Sequence, residues 1–170
     1  MALRAISLNL FGHNADWPAR LPALKEGLRR LRPDVLALQE LVVDDTADQA
    51  AELLGPGYQV ARHSGRAADA VGAAMASRWP LGTVREVGLH VTERTGDFRW
   101  CAALVAEVLA PPPLGPLLFV HHKPTWQYGY ERERELQAVT CARFVEELVA
   151  GRDLPVVLTG AGVSGGWRWL

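Results

Sequence analysis

Hydrophobic and polar positions along this chain follow two rhythms. Residues 3–10 place Ile6, Leu8 and Leu10 on one face and predict a buried strand. Residues 11–17 are a polar loop. Residues 19–31 then repeat leucine at Leu21, Leu24, Leu28 and Leu31, spacings of three and four that line one face of a helix. Pro22 is expected in the first turn, where its missing amide is tolerated. Arg32-Pro33-Asp34 ends this helix, and Val35-Leu36-Ala37-Leu38 is an unbroken apolar run with the character of a central strand. It finishes in Gln39-Glu40. Asp44 or Asp45 is the expected cap of a second helix through Leu54, stopped by Gly55-Pro56-Gly57.

The texture then changes. Strand-length segments at residues 58–62, 71–77, 82–91 and 99–109 follow one another, divided by turn signals such as Trp79-Pro80-Leu81-Gly82 and Arg94-Thr95-Gly96-Asp97. Pro111-Pro112-Pro113 is a stiff connector into another strand, residues 117–121. Residues 130–149 predict the longest helix, with Leu136, Val139, Ala142, Val145 and Val149 on one face. A last strand covers residues 156–159. The order is β-α-β-α, a strand-rich middle, then β-α-β. Two packed sheets with helices outside fit that order, an α/β arrangement.

Composition adds bounds. The 170 residues suit one domain, expected over residues 1–160, with a Gly- and Trp-containing tail at 161–170. The formal charge is -1, from 18 basic and 19 acidic residues. That balance argues against tight non-specific binding to a nucleic-acid backbone. Cys101 and Cys141 lie in apolar surroundings without a metal-ligand spacing, so buried free thiols are expected. The N-terminus lacks a signal-peptide pattern and no apolar run reaches membrane-span length, so a cytoplasmic location is expected.

Three strands end in groups suited to phosphate chemistry: Asn9, Gln39-Glu40, and His121-His122-Lys123-Pro124. Sites in layered α/β folds gather at strand ends, where loops converge. A carboxylate such as Glu40 is a hard ligand for Mg2+. Asn9 can donate to a phosphate oxygen, and a histidine can act as an acid or stabilise developing charge. Taken singly, each has a plain structural reading: a surface carboxylate, a turn-forming Asn, a solvated His pair. Their order together carries the argument.

That order resembles the endonuclease/exonuclease/phosphatase family, the Mg-dependent, DNase I-like phosphoesterases. Ala5-Ile6-Ser7-Leu8-Asn9-Leu10 looks like its opening strand. Residues 32–40, Arg-Pro-Asp-Val-Leu-Ala-Leu-Gln-Glu, are similar to its most recognisable motif. Residues 71–81 look like its apolar strand followed by Ser-Arg, an aromatic and Pro. Phe119-Val120-His121-His122-Lys123-Pro124 resembles the strand that ends in a catalytic His. The resemblance implies a four-layer α/β/β/α sandwich and Mg2+-assisted hydrolysis of a phosphoester, with Mn2+ as an alternative ion. It implies that Glu40 and Asn9 serve the metal and that His122 or His121 serves the phosphate. His122 is favoured, because the family His commonly follows a short strand of this kind, and His121, which fits the family's other His-x-x-Pro pattern, is the alternative. The implied substrate is a nucleic acid or a small phosphorylated molecule.

The resemblance breaks near the end. After Val156-Val157-Leu158-Thr159-Gly160 the family continues Asp-Phe-Asn, whereas this chain reads Ala161-Gly162-Val163. Those side chains cannot orient water or contact phosphate. The family's Ser-Asp-His segment has no counterpart either. A truncated or catalytically impaired hydrolase, incomplete at its C-terminus, is therefore expected, with an open sheet edge that favours self-association. A non-catalytic binding module on the same scaffold is the alternative, with Trp126, Tyr128 and Tyr130 as stacking groups. Residues 160–165 also read Gly-x-Gly-x-x-Gly, but that loop needs a following helix, for which five residues leave no room.

Overall fold

The computed structural model describes residues 2–14 and 16–160. Eight strands form two sheets. The first has the order β1-β2-β4-β3, from β1 (Ala5–Asn9), β2 (Val35–Val42), β3 (Gln59–Arg62) and β4 (Val71–Ser77). The second has the order β5-β6-β7-β8, from β5 (Leu81–Gly88), β6 (Ala102–Val108), β7 (Leu117–Lys123) and β8 (Val156–Gly160). Each sheet contains one parallel pair, β1 with β2 and β7 with β8, and a helix crosses over in each. These helices are α1 (Trp17–Leu31) and α3 (Glu131–Val149), and the short α2 (Gln49–Leu54) joins α1.

Strand alternation sorts the side chains into three apolar layers. Leu36 and Leu38 of β2 and Ala74 and Ala76 of β4 face α1 and α2, where Leu21, Leu24 and Leu28 cover them. Val35, Ala37 and Met75 face the other way, onto Leu104, Leu117 and Phe119 of the second sheet. Ala103, Val105, Leu118 and Val120 form the opposite face of that sheet, under Phe144, Val145 and Leu148 of α3. The result is the expected α/β/β/α sandwich. Burial on both faces favours apolar residues, which is why Val35–Leu38 of β2 reads as an unbroken run. Phe119, fully buried between the sheets, is the largest such side chain. Phe119→Ala is expected to lower unfolding stability by about 3–5 kcal/mol, read from urea denaturation.

Several boundaries differ from the sequence expectation. Helix α1 starts at Trp17, capped by Asp16, whose carboxylate accepts from the Ala19 amide at 3.1 Å. Pro22 consequently lies inside the helix. Helix α2 is capped by Asp48, accepting from Ala51 at 3.0 Å. Asp44 instead folds a turn, accepting from the amides of Thr46 and Ala47. Of the expected α3 face, Val145 and Val149 pack inward, but Val139 and Ala142 are exposed, and the buried residues of the helix are Glu133, Gln137 and Cys141. Polar residues sit inside because the loops need them. Glu133 accepts from Arg94, while Gln137 accepts from the Thr125 amide and donates to the Leu89 carbonyl. Both cysteines are free and buried. Residues 161–170, including the expected tail and Ala161-Gly162-Val163, lie outside the described residues.

Candidate active site

β2 does not end as a regular strand. Its ladder with β4 shifts register between Gln39 and Leu41, and Glu40 is the extra residue, with φ 52°. In a regular strand Glu40 would share the helix-side face of Leu36 and Leu38. Leu41 takes that place instead. The bulge turns Glu40 out of the ladder and into a cleft of about 470 Å³. The same cleft is lined by Lys123, Asn14 and Asp69, with Phe11, Trp100 and Trp126 as its aromatic walls. Gly12, at φ 51°, allows the chain past: a Cβ there would meet a Val71 methyl at 3.0 Å.

Asn9 pairs with Gln39 in the parallel ladder, so it ends the strand beside Glu40. It is exposed, and its side-chain oxygen accepts from the Phe11 amide at 2.7 Å. That bond shapes the turn leading to the cleft. Asn9 and Glu40 thus stand at one end of the first sheet.

The two histidines separate. His121 shares the inner face of β7 with Phe119 and is fully buried. Its Nε2 lies 3.0 Å from the Gln39 amide nitrogen, and its Nδ1 lies 3.3 Å from Nε2 of His63. The Gln39 amide also reaches Ser7 Oγ and the Ala37 carbonyl. An amide nitrogen only donates, so this pattern assigns the His121 proton to Nδ1, facing His63. His63 in turn carries its proton on Nδ1, which is buried without a partner. His122 points to the opposite face, against Gln137 of α3, and its buried Nε2 has no partner. Neither histidine lines the cleft.

Burial governs the titration of this cluster. Desolvation pushes His63 down to about 4, with Glu86 opposing and Lys123 reinforcing the shift. Desolvation also holds His121 well below its ordinary value, helped by His63, Lys123 and His122. His122 falls to about 4, again through desolvation. All three rings are neutral near pH 7. Lys123 is lowered by its burial, an effect that the Glu40 carboxylate opposes.

Lys123 is the site residue that sequence reasoning did not single out. Its ammonium lies 3.8 Å from Glu40 Oε1, and its side chain is 5% exposed. Strand alternation carried the signal, since residue 123 shares a face with 119 and 121. His63 and Gln39 gave weaker signals, because their partners are distant in sequence.

Among the described residues no group of three or more His, Cys, Asp or Glu is placed to hold a metal ion. The donor set nevertheless fits Mg2+, which commonly keeps several waters and binds through one or two carboxylates plus substrate phosphate. One carboxylate facing an open cleft is such a set.

Two face-to-face sheets, outer helices and a strand-end cleft holding a carboxylate define a DNase I-like α/β sandwich. The model of the endonuclease/exonuclease/phosphatase family matches residues 6–160, and the chain belongs to that family of phosphoester hydrolases. Solved structures agree on the fold. The human Nocturnin catalytic domain, solved with a bound sulfate anion, superposes with a TM-score of 0.78 at 19% identity, covering 96% of this chain and 64% of that one. A mannosyl-6-phosphatase of Bacteroides thetaiotaomicron gives 0.75 at 20% identity, covering 94% and 64%. Danio rerio TDP2, complexed with a single-strand DNA product, gives 0.74 at 19% identity, covering 93% and 59%. The chain therefore spans less than two thirds of the length of these structures. No curated protein matches it by sequence. Among the described residues no helix is long and apolar enough to cross a membrane.

Proposed function

We propose that the cleft is the metal-binding half of a phosphoester hydrolase site, with hydrolysis impaired in this chain. The observation that carries the reading is Glu40, a carboxylate turned into the cleft by a bulge at positive φ. Backbone strain of this kind persists where surrounding structure enforces it, and it clusters at functional sites. Glu40 would hold Mg2+, or Mn2+ as the alternative, and Asn9, which ends the neighbouring strand outside the cleft lining, would position phosphate. The ion, when bound, supplies charge neutralisation at the phosphoryl oxygens.

His121 acts here as a positioning residue. It accepts from the Gln39 amide directly before Glu40 and so helps fix the end of β2. His122 stays with α3. The impairment rests on sequence: Ala161, Gly162 and Val163 stand where the family resemblance places Asp-Phe-Asn. None of those three side chains can accept a proton from water or donate to a phosphate oxygen. The two free buried thiols accord with a cytoplasmic location.

Calorimetric titration with Mg2+ and Mn2+, alongside assays on p-nitrophenyl phosphate and its bis ester, tests this. The expected result is saturable ion binding with little or no turnover. Absence of ion binding would remove the site, and turnover at the rate of an intact family member would remove the impairment. A second reading, a ligand-binding module without catalysis, is favoured by the three aromatic walls Phe11, Trp100 and Trp126. Such walls suit stacking on a nucleobase. Heat on nucleotide addition without hydrolysis supports that reading, and no heat with any nucleotide counts against it.

A further inference from the structure

Lys123 has no role in the site as proposed, yet it is the charged group nearest to Glu40. It closes β7 on the inner face, and its side chain is only 5% exposed. A lysine ammonium carries three donors and is strongly hydrated in water, so drawing it out of solvent here needs compensation. Among the described residues the one acidic group within 4.0 Å is Glu40, at 3.8 Å. That distance is too long for a hydrogen bond and short enough for strong attraction. The pair attracts without locking, and both members line the cleft.

A divalent cation at Glu40 would take the carboxylate that Lys123 now faces. The ion and the ammonium repel at such separations, and a carboxylate offers limited charge to share between them. A dianionic phosphate reverses the balance. It neutralises the ion and gives the released ammonium a new partner, and lysine is a common point-charge binder of phosphate. The aromatic walls leave room for this, because the cleft's other acidic side chain, Asp69, is engaged in its own turn with the Val71 amide.

We infer that Lys123 is a built-in counter-cation: it holds Glu40 in the metal-free protein and transfers to a phosphate oxygen when metal and phosphate bind together. This rests on the reading of Glu40 as the metal ligand. It makes metal and oxyanion binding mutually reinforcing, and the reinforcement is equal in both directions. A purely structural ion pair would stabilise the fold and leave that coupling untouched.

Calorimetry on the full chain with Mn2+ and sulfate, a dianionic phosphate substitute, separates the two. In wild type, sulfate is expected to tighten Mn2+ binding about tenfold. Lys123→Met is expected to bind Mn2+ about tenfold more tightly than wild type in sulfate-free buffer, and to lose the tightening by sulfate. A Lys123→Met protein with unchanged Mn2+ affinity and undiminished coupling overturns the inference. A metal-free arm decides Lys123 independently. Glu40→Gln releases the ammonium and should bind sulfate about tenfold more tightly than wild type, whereas Glu40→Gln combined with Lys123→Gln should not. Equal sulfate affinity in wild type and Glu40→Gln overturns the inference even if Lys123→Met fails to fold. Loss of Mn2+ binding by wild type itself strikes the reading of Glu40, and the sulfate arm still judges Lys123.

Discussion

Glu40→Gln is expected to weaken Mg2+ and Mn2+ binding by about a hundredfold or more while thermal unfolding stays cooperative. The substitution keeps size and shape and removes one formal charge. Affinity for hard cations follows the number of charged oxygen ligands, and a hundredfold loss corresponds to about 2.7 kcal/mol. Glu40 is the carboxylate that the bulge aims at the cleft. Asp69 lines the same space, but its side chain accepts from the Val71 amide and its carbonyl lies 2.9 Å from His13 Nε2. Asp69→Asn therefore serves as the control, with a loss several-fold at most. Calorimetry with each variant is the measurement. Equal metal affinity in Glu40→Gln and wild type would exclude Glu40 as the ligand. Any hydrolysis that survived Glu40→Gln at full rate would be contamination.

The second large effect is on stability in mild acid. His63 and His122 each titrate near 4 in the folded protein, and His121 lies well below its ordinary value. Their ordinary value is 6.5. Between that value and about 4 the unfolded chain binds protons that the folded protein cannot, so stability falls as pH drops. Above 6.5 the contribution is fully present, and by about pH 4 it is lost for His63 and His122. Each of those two shifts corresponds to about 3 kcal/mol. The groups facing the cluster are Glu86 and Lys123 around His63, and Lys123 and His122 around His121. Urea unfolding across this window should show a steep decline. His122→Leu should make it shallower and leave the part due to His63 and His121, because leucine fills the space under α3 without a proton to gain or an Nε2 to leave unpaired. A stability profile that is level across the window would show that the rings are not held neutral by burial.

The parts of the fold that the sequence disclosed were those where packing leaves one choice. β2 and β7 are covered on both faces, so Val35–Leu38 and Leu117–Val120 are apolar at every step and the strands stand out. Helix α1 has one covered face, which Leu21, Leu24 and Leu28 mark, while Leu31 at its end is exposed. The face of α3 is legible only in its second half, where Val145 and Val149 pack inward; toward its start Glu133 and Gln137, which look like solvent residues, satisfy loop backbone and the Arg94 side chain inside. At the site, residue type was legible and aim was not. Glu40 is recognisable as a ligand type, but its direction depends on one backbone angle that periodicity does not encode. The adjacent histidines could not be ranked because both faces of β7 are buried, so alternation says only that they part. Lys123 reads in sequence as an ordinary lysine at a strand end, and only the distance to Glu40 from another sheet gives it a role.

The left-handed backbone of Glu40 sets fold against chemistry at a single position. A side chain with a Cβ pays about 1–2 kcal/mol to sit there, and glycine would not. The exchange that relaxes this strand most is therefore one that deletes the carboxylate. If Glu40 is the metal ligand proposed above, glycine or asparagine at residue 40 would give a sturdier sandwich at the cost of the ion.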